Sequence, residues 1–268
     1  MILIGSGVSA NAATDTGLRP PTWGKFLHEA YARLGRNVRH IKLSLKKYDY
    51  LEACDFLRGE FGASWHDVIR DSFVTPNYRP ASIHKAIFDL DSRIVMSLNF
   101  DRIYEGYAHG ASEGTIIVKN YHDVDVRQTI AGPDRYIIKP HGTVDSISKM
   151  IFTLDDYGKA RIEYAGFYDM ITALLHTHTF LCIGCGLSDP DMQLLFENYR
   201  YRYSESPHYI VLPLPISKEE CSLIQKTRGL NVLTYPSKDN HKELTESLRR
   251  LGDDANLERE QIAATRNW

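Results

Sequence analysis

Seven short apolar runs punctuate the chain, at 1–4, 93–98, 116–119, 136–139, 179–183, 208–212 and 231–235, with amphipathic or polar stretches between them. Runs of this length, apolar throughout rather than alternating, predict strands buried on both faces of a parallel sheet, with helices covering each face. Between the first two runs the spacing of apolar residues becomes that of a helix, in Lys25-Phe26-Leu27-His28-Glu29-Ala30-Tyr31, in 51–61 and in 65–73. Such a connection is too long for a simple βαβ crossover and predicts a helical subdomain inserted over 25–80. The turn-forming cluster Thr75-Pro76-Asn77-Tyr78-Arg79-Pro80 closes it, and Ser82-Ile83-His84-Lys85-Ala86-Ile87-Phe88 returns as a helix on the sheet. The expected frame is one α/β domain over 1–24 and 81–252, interrupted by the insert and followed over 253–268 by a polar tail, either loose or an interaction helix. Met1 opens the first strand directly. A central parallel strand rarely begins a polypeptide, which leaves open a preceding helix or a minimal start.

Charge and cysteine usage narrow the function classes. The 32 basic side chains face 34 acidic ones, for a formal net charge of −2, and that balance excludes a nucleic-acid coat or a polybasic membrane anchor. No apolar run approaches the roughly 18 to 20 residues that span a bilayer, and the first residues lack the basic n-region and cleavage site of a secretory signal. A cytoplasmic protein that binds neither membrane nor nucleic acid is expected. Cys54, Cys182, Cys185 and Cys221 make no disulfide framework. The lone C-x-x-C of Cys182 and Cys185 lacks the second pair or the histidines of a structural zinc site. Cys182 lies inside an apolar run, so a buried or turn-lining thiol is expected, and no zinc.

Ligands of open α/β sheets bind beyond the carboxyl ends of the strands, so the residues after each run carry the functional reading. The first run leads into Gly5-Ser6-Gly7-Val8-Ser9-Ala10, where glycines permit a tight turn and close approach of backbone N–H groups to a pyrophosphate. The second ends in Asn99-Phe100-Asp101. The fourth ends in Pro140-His141-Gly142-Thr143, where a histidine, a residue type whose unperturbed pKa is about 6.5, suits a general base. The fifth runs into Gly184-Cys185-Gly186-Leu187-Ser188-Asp189-Pro190-Asp191, in which Ser188 and Asp191 read as a capping box before a helix, a natural place for a ribose or phosphate. Each also has a plain structural reading: a ligand-free glycine turn, an asparagine that caps a helix, a histidine bonded to a carbonyl, a well-capped helix. Taken together, four strand ends bearing Gly, Ser, Asn, Asp and His predict a nucleotide cleft with chemistry in it, on a Rossmann-like parallel sheet with helices on both faces and the inserted helical subdomain.

The ordered set Gly5-Ser6-Gly7-Val8-Ser9, Leu98-Asn99-Phe100-Asp101, Pro140-His141-Gly142 and Ile183-Gly184-Cys185-Gly186-Leu187-Ser188-Asp189-Pro190 resembles the sirtuin superfamily. It looks more like the bacterial sirtuin-like NAD hydrolase domains of anti-phage defence systems such as Thoeris than like the protein deacylases. The likeness runs from Gly5 to about Ser247 and takes in Phe152-Thr153-Leu154-Asp155-Asp156-Tyr157. Three departures set it apart from deacylases. Leu98 stands where they carry Gln, Gly17-Leu18-Arg19-Pro20-Pro21-Thr22-Trp23 replaces a G-I-P-D-F-R-like run, and 141–180 contains no cysteine for their zinc module. The resemblance implies NAD as substrate, cleaved to nicotinamide and ADP-ribose without a metal. It implies Asn99, Asp101 and His141 as catalytic residues. NAD would also be held by Gly5, Ser6, Gly7, Ser9, Gly184, Cys185, Gly186 and Ser188. It further implies a homo-oligomer and a defence-system partner such as an ATPase. An NAD-dependent deacylase and a non-catalytic NAD or ADP-ribose sensor are the alternatives.

Overall fold

In the computed structural model, which describes residues 1–266, every one of the seven apolar runs is a strand. They are β1 (Ile2–Ile4), β2 (Ile94–Ser97), β3 (Ile117–Asn120), β4 (Tyr136–Lys139), β5 (Leu181–Ile183), β6 (His208–Leu214) and β7 (Leu230–Pro236). All neighbours pair in parallel, in the order β3-β4-β2-β1-β5-β6-β7. The register aligns Ile138, Met96, Leu3, Cys182 and Ile210 in one row across the sheet. Ile137, Val95, Ile2 and Leu181 form the adjacent row. Because side chains alternate along a strand, the two rows face opposite sides and need separate cores.

After β1 the chain makes one helical turn, α1 (Ser6–Ser9), then a loop, then four helices: α2 (Trp23–Arg33), α3 (Arg39–Lys46), α4 (Tyr50–Phe61) and α5 (Trp65–Phe73). These surround a core of their own, with Phe26, Leu27, Ile41, Leu57 and Ile69 wholly buried, and Val144, Met150 and Phe152 from beyond β4 complete it. Helix α3 has no counterpart in the sequence-based expectation. Its basic surface hides a buried face of Val38, Ile41 and Leu45, spaced as a helix requires. Helices α6 (Ser82–Asp89) and α7 (Ile103–Ala111) cover the Ile2 row, through Ile83, Ile87, Tyr104 and Ala108. Helices α8 (Leu154–Glu163), α9 (Ala165–Thr177), α10 (Pro190–Arg202) and α11 (Lys218–Arg228) cover the Leu3 row, through Tyr157, Leu174, Phe196 and Ile224. Each fully buried Leu, Ile or Phe contributes about 1.5 to 3 kcal/mol of transfer free energy, so the rows and their covers hold the sheet together.

Helix α12 (Lys238–Thr265) returns to the first face through Leu244 and Leu248. Of the two forms open to the polar stretch 253–268, loose or helical, 253–265 is helical. The helix continues unbroken through 253–265, and Arg259 donates to the Leu90 carbonyl at 3.0 Å; the last two residues of the expected tail lie outside the described residues. A correction concerns α10, whose N-cap is Asp189 rather than Ser188. Asp189 Oδ1 accepts from the Met192 N–H at 2.9 Å, with Pro190 at the first helical position.

The connection from β1 leads to one side of the sheet, and that from β4 crosses to β5 on the other. The carboxyl ends of β1 and β5 therefore open a crevice, and the insert stands over it.

Candidate active site

Two glycine turns form the floor of the crevice. The Gly5 N–H donates to Ile183 O at 3.0 Å and the Gly7 N–H to Gly184 O at 2.9 Å, which locks the turn after β1 to the turn after β5. A Cβ on Gly5 would stand 2.6 Å from Gly184 O, and one on Gly184, at φ 61°, would stand 2.6 Å from Val8 N. Close backbone packing thus demands glycine at both positions. Gly7, Gly184 and Cys185 sit behind the surface of the cavity. The Cys185 thiol donates to Leu3 O at 3.4 Å, and burial pushes its pKa well above the usual thiol value. Burial alone raises Cys182 to about 12. Both are buried thiols.

A cavity of about 300 Å³ lies above these turns. Gly5, Ser6, Ser9, Asn99, Asp101, His141, Gly186 and Ser188 all border it, so the structure brings together eight of the eleven residues singled out from the sequence. Asn99 Nδ2 donates to Gly5 O at 3.0 Å and to Ser9 Oγ at 2.9 Å, which pins the end of β2 to the turn after β1. Both N–H groups of the amide are thereby engaged, and its oxygen is the atom left for a ligand. Asp101 Oδ1 accepts from the Ile103 N–H at 3.0 Å at the start of α7.

Beneath Asp101 lies a buried ion pair. Lys139, 1% exposed, donates from Nζ to Asp101 O at 2.8 Å and pairs with the Glu105 carboxylate. Burial pushes the Glu105 carboxyl up, and the nearby Lys139 opposes this. The pair ties the last residue of β4, two positions before His141, to the turn that bears Asn99 and Asp101.

His141 is 3% exposed, between the rings of Phe100 (centroids 6.4 Å apart) and Tyr157 (5.5 Å, edge-on). Its Nε2 stands 3.1 Å from Asp189 Oδ2, off the line of a hydrogen bond. The same oxygen accepts from Tyr157 Oη at 2.9 Å. Next to it Asp191 accepts from Arg161 and from Tyr168 Oη at 2.9 Å. Burial raises the Asp191 carboxyl, while His141 and Arg161 pull it back.

Asp189 and Tyr157, both bordering the cavity, were not singled out from the sequence as site residues. An Asp before Pro at a helix start is an N-cap signal, and nothing in that signal reveals its second carboxylate oxygen. Lys139 did carry one, since a lysine ending a buried strand requires a partner. The cavity also has an aromatic lining: Trp23, Tyr48, Tyr50 and Phe73 from α2 to α5 and their connections, with Phe100 and Phe152. Trp23 stacks on Phe152 at 5.5 Å and 16°. Among the described residues no group of three or more His, Cys, Asp and Glu is placed to hold a metal, and no helix is long and apolar enough to cross a membrane.

A parallel sheet with a glycine-floored crevice beyond its strand ends, bordered by Asn, Asp and His, defines an α/β protein of the Rossmann-like kind. The SIR2-like domain family matches residues 93–233, just over half of the chain, and the chain belongs to that family. It is similar to proteins named NAD(+) hydrolase ThsA. To that of Enterococcus faecium it is 24% identical over 197 residues, covering 71% of this chain and 39% of the relative. To that of Bacillus cereus (strain MSX-D12) it is 23% identical over 269 residues, covering 92% and 53%. To that of Acinetobacter baumannii (strain 532279) it is 25% identical over 134 residues, covering 49% and 27%. The chain thus spans about half or less of the length of these relatives.

Proposed function

We propose that the chain hydrolyses NAD to nicotinamide and ADP-ribose. One observation carries the reading: the ends of β1, β2 and β4 bring Ser9, Asn99, Asp101 and His141 to a single cavity. In the proposed reaction the bond from the nicotinamide nitrogen to ribose C1′ breaks, its electron pair neutralises the pyridinium, and one water adds to C1′ with net release of a proton. The sugar passes through an oxocarbenium-like state, which calls for fixed lone pairs around the ribose and a held water. Asn99 offers its amide oxygen to that water or to the ribose, Asp101 holds the carboxamide, and His141 takes a proton from a ribose hydroxyl, with Asp189 facing its Nε2. The two glycine turns, with Ser6, Ser9 and Ser188, are assigned to the rest of the dinucleotide. No step uses a metal. The names of the relatives support this activity, and the anti-phage role, assembly into homo-oligomers and a partner such as an ATPase belong to the same proposal.

Incubation with NAD alone, and with NAD plus an acetyl-lysine peptide, tests it by chromatography, run on fractions sized by light scattering. Nicotinamide and ADP-ribose forming without peptide, fastest in assembled fractions, is the expected result. Turnover only with peptide would make it a deacylase, NAD binding without turnover a sensor, and a fully active monomer would overturn assembly control.

A further inference from the structure

Three of the described helices close on glycine at positive φ: α2 at Gly35, α4 at Gly62 and α11 at Gly229, with φ of 64°, 52° and 64°. Helix α3 closes on Tyr48 instead, at φ 60°. Its N–H and that of Asp49 turn back to Leu45 O at 3.2 Å and Ser44 O at 3.0 Å, the geometry in which glycine is strongly favoured and a large side chain is strained. The other non-glycine residues at positive φ among those described, Asn77, Asp91, Glu113, Asp239, Asn240 and His241, are all polar. A strained position kept by a bulky ring points to a use for that ring.

The surroundings of Tyr48 indicate the use. Its side chain is 76% exposed and borders the cavity. The backbone on its far side is fixed, because Asp49 caps α4 by accepting from the Glu52 N–H at 3.2 Å. Its ring meets that of Tyr50 edge-on at 6.1 Å. Tyr50 is seated on α2, where a Cβ on Gly24 would stand 2.6 Å from its hydroxyl. The cavity has a volume of about 300 Å³, within the range of ligand pockets. Asn99 and His141 border it as Tyr48 does, so the end of the dinucleotide whose bond is cut lies in the cavity that Tyr48 lines.

We propose that Tyr48 is a specificity-determining residue whose ring lies against the nicotinamide of NAD and favours its cationic, oxidised form. This rests on the NAD-hydrolase reading. An electron-rich phenol face attracts the pyridinium charge by about 0.5 to 2 kcal/mol, and that charge is absent from NADH and from released nicotinamide. Since the charge disappears as the bond breaks, the contact belongs to the bound substrate and not to the transition state.

The test is steady-state kinetics and calorimetry on Tyr48→Gly and Tyr48→Phe. Glycine is expected to raise KM for NAD about 3- to 30-fold, with kcat raised by a similar factor so that kcat/KM holds, and ADP-ribose affinity unchanged. Relief of the left-handed strain keeps the melting temperature of Tyr48→Gly at or above the starting value, and Tyr48→Phe restores KM. A KM within twofold of the unmutated protein in Tyr48→Gly, an equal loss of ADP-ribose affinity, or a lower melting temperature would overturn the proposal while leaving NAD hydrolysis standing. Absence of NAD cleavage in the unmutated protein would instead remove the underlying reading, and calorimetric NAD binding by the two proteins would still decide whether Tyr48 touches the nucleotide.

Discussion

The sheet and the insert supply two walls of one cavity, and they are built differently. On the sheet wall Asn99, Asp101 and His141 are buried and Asp189 mostly so, and each has polar neighbours: Gly5 and Ser9, the Ile103 N–H, Asp189, Tyr157. On the insert wall Trp23, Tyr48, Tyr50 and Phe73 present rings, one of them mostly exposed. A buried polar group costs free energy unless its partners are fixed, so the sheet wall can hold chemistry only if it is rigid. An aromatic wall needs no such network, because its rings are held by packing. The difference teaches that the two sides of one cavity are stabilised by different means, hydrogen-bonded polar groups on one and packed rings on the other.

The largest effect should come from the support of the sheet wall. Lys139→Met would leave Glu105 buried without its cation, and loss of one member of such a pair costs about 3 to 5 kcal/mol. Denaturant unfolding should show that loss, and a change below about 1 kcal/mol would mean that the wall does not depend on this pair. Next, Asn99→Ala and His141→Ala should each lower NAD cleavage by roughly 10² or more, about 3 kcal/mol in barrier, with the double variant scarcely worse than either. Near-unchanged rates in both would show that the chemistry is elsewhere. The smallest effect should come from the anchor of the insert. Arg58 donates to both carboxylate oxygens of Asp156, at 3.0 and 2.8 Å, and so joins α4 to α8. Arg58 is about two-fifths exposed, and solvent screening holds the cost of Arg58→Ala to about 1 kcal/mol or less. An Arg58 loss as large as that of Lys139 would abolish the contrast between the walls.

The strands were legible because a doubly covered parallel sheet writes itself as short apolar runs, and the strand ends named the crevice. Glycines at 5, 7 and 184 were legible as turns, but their packing against each other was not, since neither turn reveals its partner. Helix α3 was hidden by basic residues on its solvent face, and the mostly polar sequence of 253–265 left a loose tail and a helix both open; there Arg259 bonds to the Leu90 carbonyl. Asp189 and the aromatic wall escaped notice because their importance comes from what folds beside them: His141 lies 48 residues before Asp189, and Tyr48 belongs to a segment outside the family match.

The central claim, that the polar wall cuts NAD inside this cavity, is tested most directly by nicotinamide release from NAD in the unmutated protein and in His141→Ala, each first shown by calorimetry to bind NAD. Release by the first, and binding with release reduced roughly 10²-fold or more in the second, is the predicted result. Equal release by both, or none by either despite binding, would contradict it.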